Sequence, residues 1–212
     1  MKRTLICMIG IITIMSSGLK GSTNFDTSME TKSGKSKTIV FAGGCFWCTE
    51  AIFSQLKGVE KVVSGYSGGK VVNPTYKDVC TGATGHAECT QITYDPDVIR
   101  FADLLEVFWT THDPTTLNRQ GADHGTQYRS AIFYTDEEQK DEAGAYKAKL
   151  EKEKIWDHPI VTEITKFEKF YPAEDYHQSY YANNSEQGYC RVVITPKLDK
   201  FKKIFASKLK KK

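Results

Sequence analysis

Apolar positions along the chain recur in short β-rich runs that alternate with longer stretches of helical spacing. "TIVFA" (38–42) is a strand-length run closed by Gly43 and Gly44. In "CFWCTEAIFSQL" (45–56), Cys45, Cys48, Ile52 and Leu56 share one stripe, which predicts a helix starting at or near Cys45. "VEKVVSGY" (59–66) and "AECTQITY" (87–94) have the β-branched and aromatic content of strands. The intervening "SGGKVVNPTYKDVCTGATG" is dense in turn residues and reads as a long ordered loop. In "DPDVIRFADLLEVFWTTHD" (95–113), Asp95 is the expected N-cap and Pro96 lies in the first turn. Ile99, Leu104, Leu105 and Phe108 then form the buried face of this helix. "RSAIFYT" predicts a strand, "DEEQKDEAGAYKAKLEKEKI" a charged, solvated helix, "PIVTEITKF" another strand, and "AEDYHQSYY" a short helix. "KKIFASKLKKK" reads as a solvated basic tail. The mixed order predicts one α/β or α+β domain, a sheet covered by helices.

The first residues follow a different pattern. "MKR" is a basic start, "TLICMIGIITIM" an apolar run shorter than a membrane span needs, and "SSG" supplies small residues for cleavage. Residues 1–18 are therefore expected to be a signal peptide and 19–37 a disordered linker. A folded domain over 38–206 and a basic tail over 207–212 follow. This organisation implies export, to a periplasm or outside the cell; an uncleaved membrane anchor is the alternative. The composition, 40% hydrophobic and 26% charged, is that of a folded soluble protein. A net charge of +3 is too small to argue for a nucleic-acid surface.

Cleavage after Gly18 would remove Cys7 and leave Cys45, Cys48, Cys80, Cys89 and Cys190. An odd number fits a disulfide framework badly and points to a free thiol. Cys45 is expected at a helix start, where unpaired N–H groups and the helix dipole favour a thiolate. Phe46 and Trp47 add apolar surface beside it, which suits attack on a neutral, apolar group. The Cys45–Cys48 pair also fits half a zinc site, but paired cysteine or histidine spacing is missing elsewhere. A thioredoxin-like redox pair is the stronger rival at this stage.

Further motifs bear on that choice. "GGCFWC", "GYSGG", "NPTY", "TGHAE", "HDPTTLNRQGADHGTQYRSAIFY" and "GYC" stand in the order found in the A-type peptide methionine-S-sulfoxide reductases. The chain resembles that family over roughly Thr38 to Lys203. The resemblance implies a two-layer α/β sandwich around a mixed sheet with extensive loops and a ferredoxin-like core. It implies reduction of methionine (S)-sulfoxide, free or in proteins, with Cys45 as the nucleophile. Glu88 matches the family's proton donor, a role that demands a carboxyl group kept neutral by burial. Tyr76 and Tyr128 match the tyrosines that bind the sulfoxide oxygen. Asp123 matches an organiser of water or tyrosine, and Phe46 and Trp47 match the pocket for the substrate methyl. His86, Asp113 and His124 fall within family motifs and are expected to be structural.

After attack Cys45 becomes a sulfenic acid that a second thiol must capture. Cys190 matches the family's resolving position, on a segment whose Gly188 would let it swing. Many relatives carry glycine where Cys48 stands and further cysteines downstream of Cys190, which makes Cys48 a second candidate. No nucleotide, flavin or metal cofactor is implied, and the expected partners are methionine sulfoxide substrates and an external dithiol such as thioredoxin. A monomer is expected. The rival functions are a general thiol–disulfide oxidoreductase using Cys45 and Cys48, and a non-enzymatic aromatic-lined peptide-binding module.

Overall fold

The computed structural model describes residues 36–211. The expected signal peptide and all but the end of the expected linker lie outside the described residues; Lys37 already opens the first strand. The strands are β1 (Lys37–Gly43), β2 (Val59–Ser67), β3 (Ala87–Tyr94), β4 (Arg119–Gln120), β5 (Asp123–His124), β6 (Ser130–Tyr134), β7 (Glu163–Lys166) and β8 (Phe170–Pro172). The helices are α1 (Phe46–Phe53), α2 (Tyr76–Cys80), α3 (Phe101–Thr111), α4 (Glu137–Glu153), α5 (Tyr180–Asn183) and α6 (Thr195–Ile204). Among the described residues, no helix is long and apolar enough to cross a membrane.

Six strands form one sheet in the order β7-β6-β1-β3-β2-β8, and β4 pairs with β5 in a separate ribbon. Neighbours are antiparallel, except that β7 runs parallel to β6. The four inner strands, β6-β1-β3-β2, carry α1 between β1 and β2 and α3 between β3 and β6. This is the split βαβ arrangement of ferredoxin-like folds. Alternation along β1 explains the two faces. Ile39 and Phe41 pack with Ile52, Leu104, Phe108 and Phe201 beneath the helices. Val40 and Ala42 point the other way, to a smaller cluster with Cys89 and Phe133 that Phe167 and Phe170 cover.

Several boundaries differ from the sequence reading. α3 begins at Phe101, not at Asp95. The Asp95 carboxylate is used in a local turn, accepting from Asp97 N–H at 2.9 Å, and Asp103 reaches back to the Arg100 N–H at 3.2 Å to cap the helix instead. The loop after β2 contains α2, started by a capping box between Thr75 and Asp78. The strand expected over 159–167 pairs only at Glu163–Lys166.

The C-terminus departs furthest. A π-helical turn (Cys190–Ile194) runs into α6, an element the sequence reading did not assign. The expected solvated tail is docked: Phe205 is buried, Leu209 bridges Leu56, and Lys210 N–H donates to Gln55 O at 2.8 Å. Lys208 pairs with Asp103 at 2.6 Å. The apolar residues spaced among the lysines are what hold it, so the structured domain extends past residue 206.

Candidate active site

The site is built where β1 turns into α1. Gly44 makes the turn with φ +90°, and a Cβ there would stand 2.5 Å from Gln120 Cγ, so glycine is required on both counts. Cys45 follows as the N-cap of α1, its carbonyl accepting from Cys48 N–H at 3.1 Å. It is 8% exposed. From β3, Glu88 reaches the same point and accepts the Phe46 N–H at 3.1 Å while itself only 1% exposed. Burial pushes its carboxyl well above the usual carboxylate range, and the charge on Cys45 adds to the effect; the Phe46 N–H opposes it.

Cys48 lies one turn along α1, in one buried cluster with Cys45, Ala51, Cys190 and Ile194. The two α1 thiols act as a pair. Cys45 is pushed well up, first by the hydrogen bond to Cys48 and then by burial, whereas Cys48 is lowered, first by that same bond. Lys197 also favours the Cys48 thiolate, while the Trp47 N–H and the Tyr189 hydroxyl favour charge on Cys45. The Trp47 N–H at the helix start favours the thiolate but is outweighed, so the expectation of a lowered thiol at Cys45 is corrected: the bond to Cys48 and burial hold it up. Two charges side by side in a buried site repel, which is why the second proton is held tightly.

Aromatic rings enclose the position. The Phe46 ring lies 5.0 Å from His177, 5.9 Å from Tyr66 and 6.5 Å from Tyr76. Trp47 Nε1–H donates to His177 Nδ1 at 3.1 Å, and Tyr180 stacks on the Trp47 ring at 3.7 Å. Tyr76 is the first residue of α2, fixed by its N–H donating to Glu174 Oε1 at 2.8 Å. The buried Tyr66 hydroxyl holds the other Glu174 oxygen at 2.9 Å. Tyr128 packs against the thiol cluster. Burial holds the Tyr76 and Tyr128 phenols above their ordinary range, so both stay hydrogen-bond donors at neutral pH. Asp123 accepts the Tyr189 hydroxyl at 2.6 Å, and Tyr189 packs on the same cluster.

Cys45, Cys48, Phe46, Trp47, Tyr76, Glu88, Asp123, Tyr128 and Cys190 thus converge on one region, from five separate stretches of chain. Cys190 is not on a free arm: it is fully buried in the π-helical turn and already packed with Cys45 and Cys48. His86 is structural, its Nδ1 accepting the Gly69 N–H at 3.0 Å, and Asp113 caps the Thr115 N–H at 2.9 Å. His124 lies exposed in the short ribbon. Among the described residues no group of three or more His, Cys, Asp or Glu side chains is placed to hold a metal ion. The sequence reading missed His177, Tyr180, Tyr189, Tyr66 and Glu174. The aromatic density of "AEDYHQSYY" and the tyrosine beside Cys190 were the signals available.

The comparisons agree with this geometry. A family model for peptide methionine sulfoxide reductase matches residues 37–209. The reductase MsrA of Chromobacterium violaceum is 58% identical over 167 residues, 79% of this chain and 95% of that protein. MsrA of Deinococcus radiodurans is 55% identical, over 81% of this chain and 83% of that protein. Mxr1 from Saccharomyces cerevisiae in reduced form superposes with a TM-score of 0.68 at 34% identity, covering 77% of this chain and 94% of that one. Methionine sulfoxide reductase A of Corynebacterium diphtheriae gives 0.66 at 36% identity, covering 76% of this chain and 80% of that one. With a buried cysteine at a helix start, a buried carboxyl beside it and a family match across the whole folded region, the chain belongs to the peptide methionine sulfoxide reductase family and is an oxidoreductase that reduces methionine sulfoxide.

Proposed function

We propose that the chain reduces methionine (S)-sulfoxide with Cys45 as nucleophile, Glu88 as proton donor and Cys190 as the first resolving thiol. The observation that carries this reading is the buried Glu88 carboxyl, bonded to the Phe46 N–H at 3.1 Å and so fixed beside Cys45. The Cys45 thiolate attacks the sulfoxide sulfur while Glu88 delivers a proton to the departing oxygen. Tyr76 and Tyr128 donate to that oxygen as it gathers charge, in the manner of an oxyanion hole. The new bond between the Cys45 and methionine sulfurs then breaks as the hydroxyl passes from the methionine sulfur to the Cys45 sulfur, so methionine leaves as the thioether and Cys45 carries S–OH. Phe46 and Trp47 hold the substrate methyl, and Asp123 orients Tyr189 next to the reacting sulfur.

The Cys190 thiol then attacks the Cys45 sulfenic sulfur, forming a disulfide and releasing water. The presence of Cys190 in the same buried cluster as Cys45 supports this step. Cys48 exchanges into the disulfide and presents it to an external dithiol of the thioredoxin class. The leader-like character of residues 1–18 supports a reading in which the protein is exported.

The test is Glu88→Gln, with both sulfoxide epimers followed by mass spectrometry. Wild type should consume the S epimer alone. The variant should lose about 10²–10⁴-fold in turnover, the size of a general-acid contribution. Its Cys45 should still react with a simple alkylating agent. Near-normal turnover would remove Glu88 from the mechanism.

A further inference from the structure

The last stretch of the chain differs in charge from the rest of the folded protein. Residues 190–212 carry nine Lys and Arg against one Asp, whereas residues 36–189 carry 15 Lys and Arg against 23 Asp and Glu. The basic stretch is not simply neutralised by the acidic body. Lys208 bonds Asp103 and Glu106, at 2.6 and 3.3 Å, but Arg191, Lys197, Lys200, Lys202 and Lys203 make no ion pair within 4 Å among the described residues. Such unpaired charge creates a field that extends about a Debye length into solvent.

Its position is specific. Lys197, Lys200 and Ile204 follow the i, i+3, i+7 spacing of one helix face. They line a surface depression of about 430 Å³ whose opposite wall includes His112, Asp113 and Gln120. Gln120 lies against Gly44, the residue before Cys45. Ile194, one turn before Lys197, packs in the thiol cluster with Cys45, Cys48 and Cys190. Ile204 on this face is 51% exposed, and Val192, in the π-helical turn that leads into α6, is 76% exposed. A surface with unpaired cations, an exposed aliphatic and the resolving thiol behind it is built for a partner that is acidic around an apolar contact.

We infer that the α6 face bearing Lys197, Lys200, Lys203 and Ile204 is the docking surface for the protein dithiol that recycles the enzyme, a donor with an acidic rim. The inference rests on the thiol chemistry proposed above. In the step served, one donor thiolate attacks the enzyme disulfide, its second thiol releases the mixed disulfide, and two electrons and two protons pass to the enzyme. The donor leaves as a disulfide and the enzyme as two thiols. The three enzyme thiols are buried in the reduced state, so selection of the donor falls to surface charge, which governs encounter rate more than the strength of the final complex.

The test uses the double variant K200E/K203E and two reductants at saturating methionine sulfoxide: an acidic thioredoxin recycled by its reductase, and dithiothreitol, which is small and uncharged. For wild type, kcat/KM for thioredoxin should fall as NaCl rises, with dithiothreitol turnover unmoved. The variant should lose about tenfold in kcat/KM for thioredoxin at low salt, with a flatter salt dependence and wild-type dithiothreitol turnover. Equal thioredoxin turnover in variant and wild type overturns the inference. Equal loss with both reductants also overturns it, the lysines then acting on the thiol cluster itself. Loss of binding to anionic phospholipid vesicles with thioredoxin turnover intact would reassign the face to a membrane. Absence of sulfoxide turnover with either donor in wild type would instead refute the reaction proposed above.

Discussion

In the proposed mechanism, Glu88 joins stability to activity at a single residue. Its carboxyl is held above the usual range, so the native protein keeps a proton that the unfolded chain releases from about pH 4.5 upward. The native state then binds more protons than the unfolded one, and this residue's contribution to stability falls as pH rises toward its folded pKa. Glutamine has no such dependence. Urea unfolding of wild type and Glu88→Gln at pH 5 and pH 8 should show the variant gaining relative stability at the higher pH. Sulfoxide turnover of wild type should decline where pH passes the raised folded-state pKa of Glu88 and the proton donor is lost. Identical pH dependence of stability in the two proteins would mean that Glu88 is ionised in the folded state. Cys190→Ser gives a second residue-scale outcome. The first turnover should survive, because it needs only Cys45, and dimedone trapping should reveal a persistent sulfenic acid. Rapid formation of a Cys45–Cys48 disulfide with normal recycling would make Cys48 the first resolver.

At the scale of elements, the short α2 carries Tyr76 into the site, and its position depends on how the helix starts. Thr75 Oγ1 accepts from Asp78 N–H at 3.2 Å, and the Asp78 carboxylate accepts from Thr75 N–H at 3.0 Å. Five residues cannot sustain a helix without such help. Thr75→Ala should cost about 1 kcal/mol in denaturant unfolding. It should also lower sulfoxide turnover while leaving alkylation of Cys45 unchanged, since α1 does not depend on this cap. Equal turnover in the variant would show that Glu174, holding Tyr76 N–H at 2.8 Å, suffices to place the residue. The β1–α1 turn is less forgiving, because Gly44 combines φ +90° with contact to Gln120.

For the whole molecule, His112 connects α3 to the sheet. Its Nδ1 bonds Phe108 O at 2.7 Å and its Nε2 bonds Ser130 Oγ at 2.8 Å, both in the buried interior. Burial lowers its pKa from 6.5 to about 4. Between those values the unfolded chain takes up a proton that the native protein refuses, so stability falls as pH drops through this window. The loss should approach roughly 3 kcal/mol by pH 4 and go no further below it. Unfolding of wild type and His112→Gln at pH 7 and pH 5 checks this, with the wild type expected to lose more on acidification. An equal loss would assign acid sensitivity to other groups.

The sequence by itself determined much of this protein. Alternation in "TIVFA" and helical spacing in "CFWCTEAIFSQL" set β1 and α1 because burying one face requires that period. The glycine pair placed Cys45 at the helix start, and the resemblance of ordered motifs to the reductase family pointed to Glu88, Tyr76, Tyr128 and Asp123. These signals are local, so they can be read along the chain. Where α3 begins was decided by competition between Asp95 and Asp103 for backbone N–H groups, which spacing does not rank. The docked C-terminus was hidden because Phe205 and Leu209 are sparse among lysines, and only their burial and the Leu56–Leu209 bridge reveal their role. Tertiary structure alone placed His177 against Trp47, Tyr189 against Asp123, and Cys190 in one buried cluster with the α1 thiols. Those contacts join residues 66 to more than 140 positions apart, and their energy comes from a shared buried environment that no short stretch of sequence encodes.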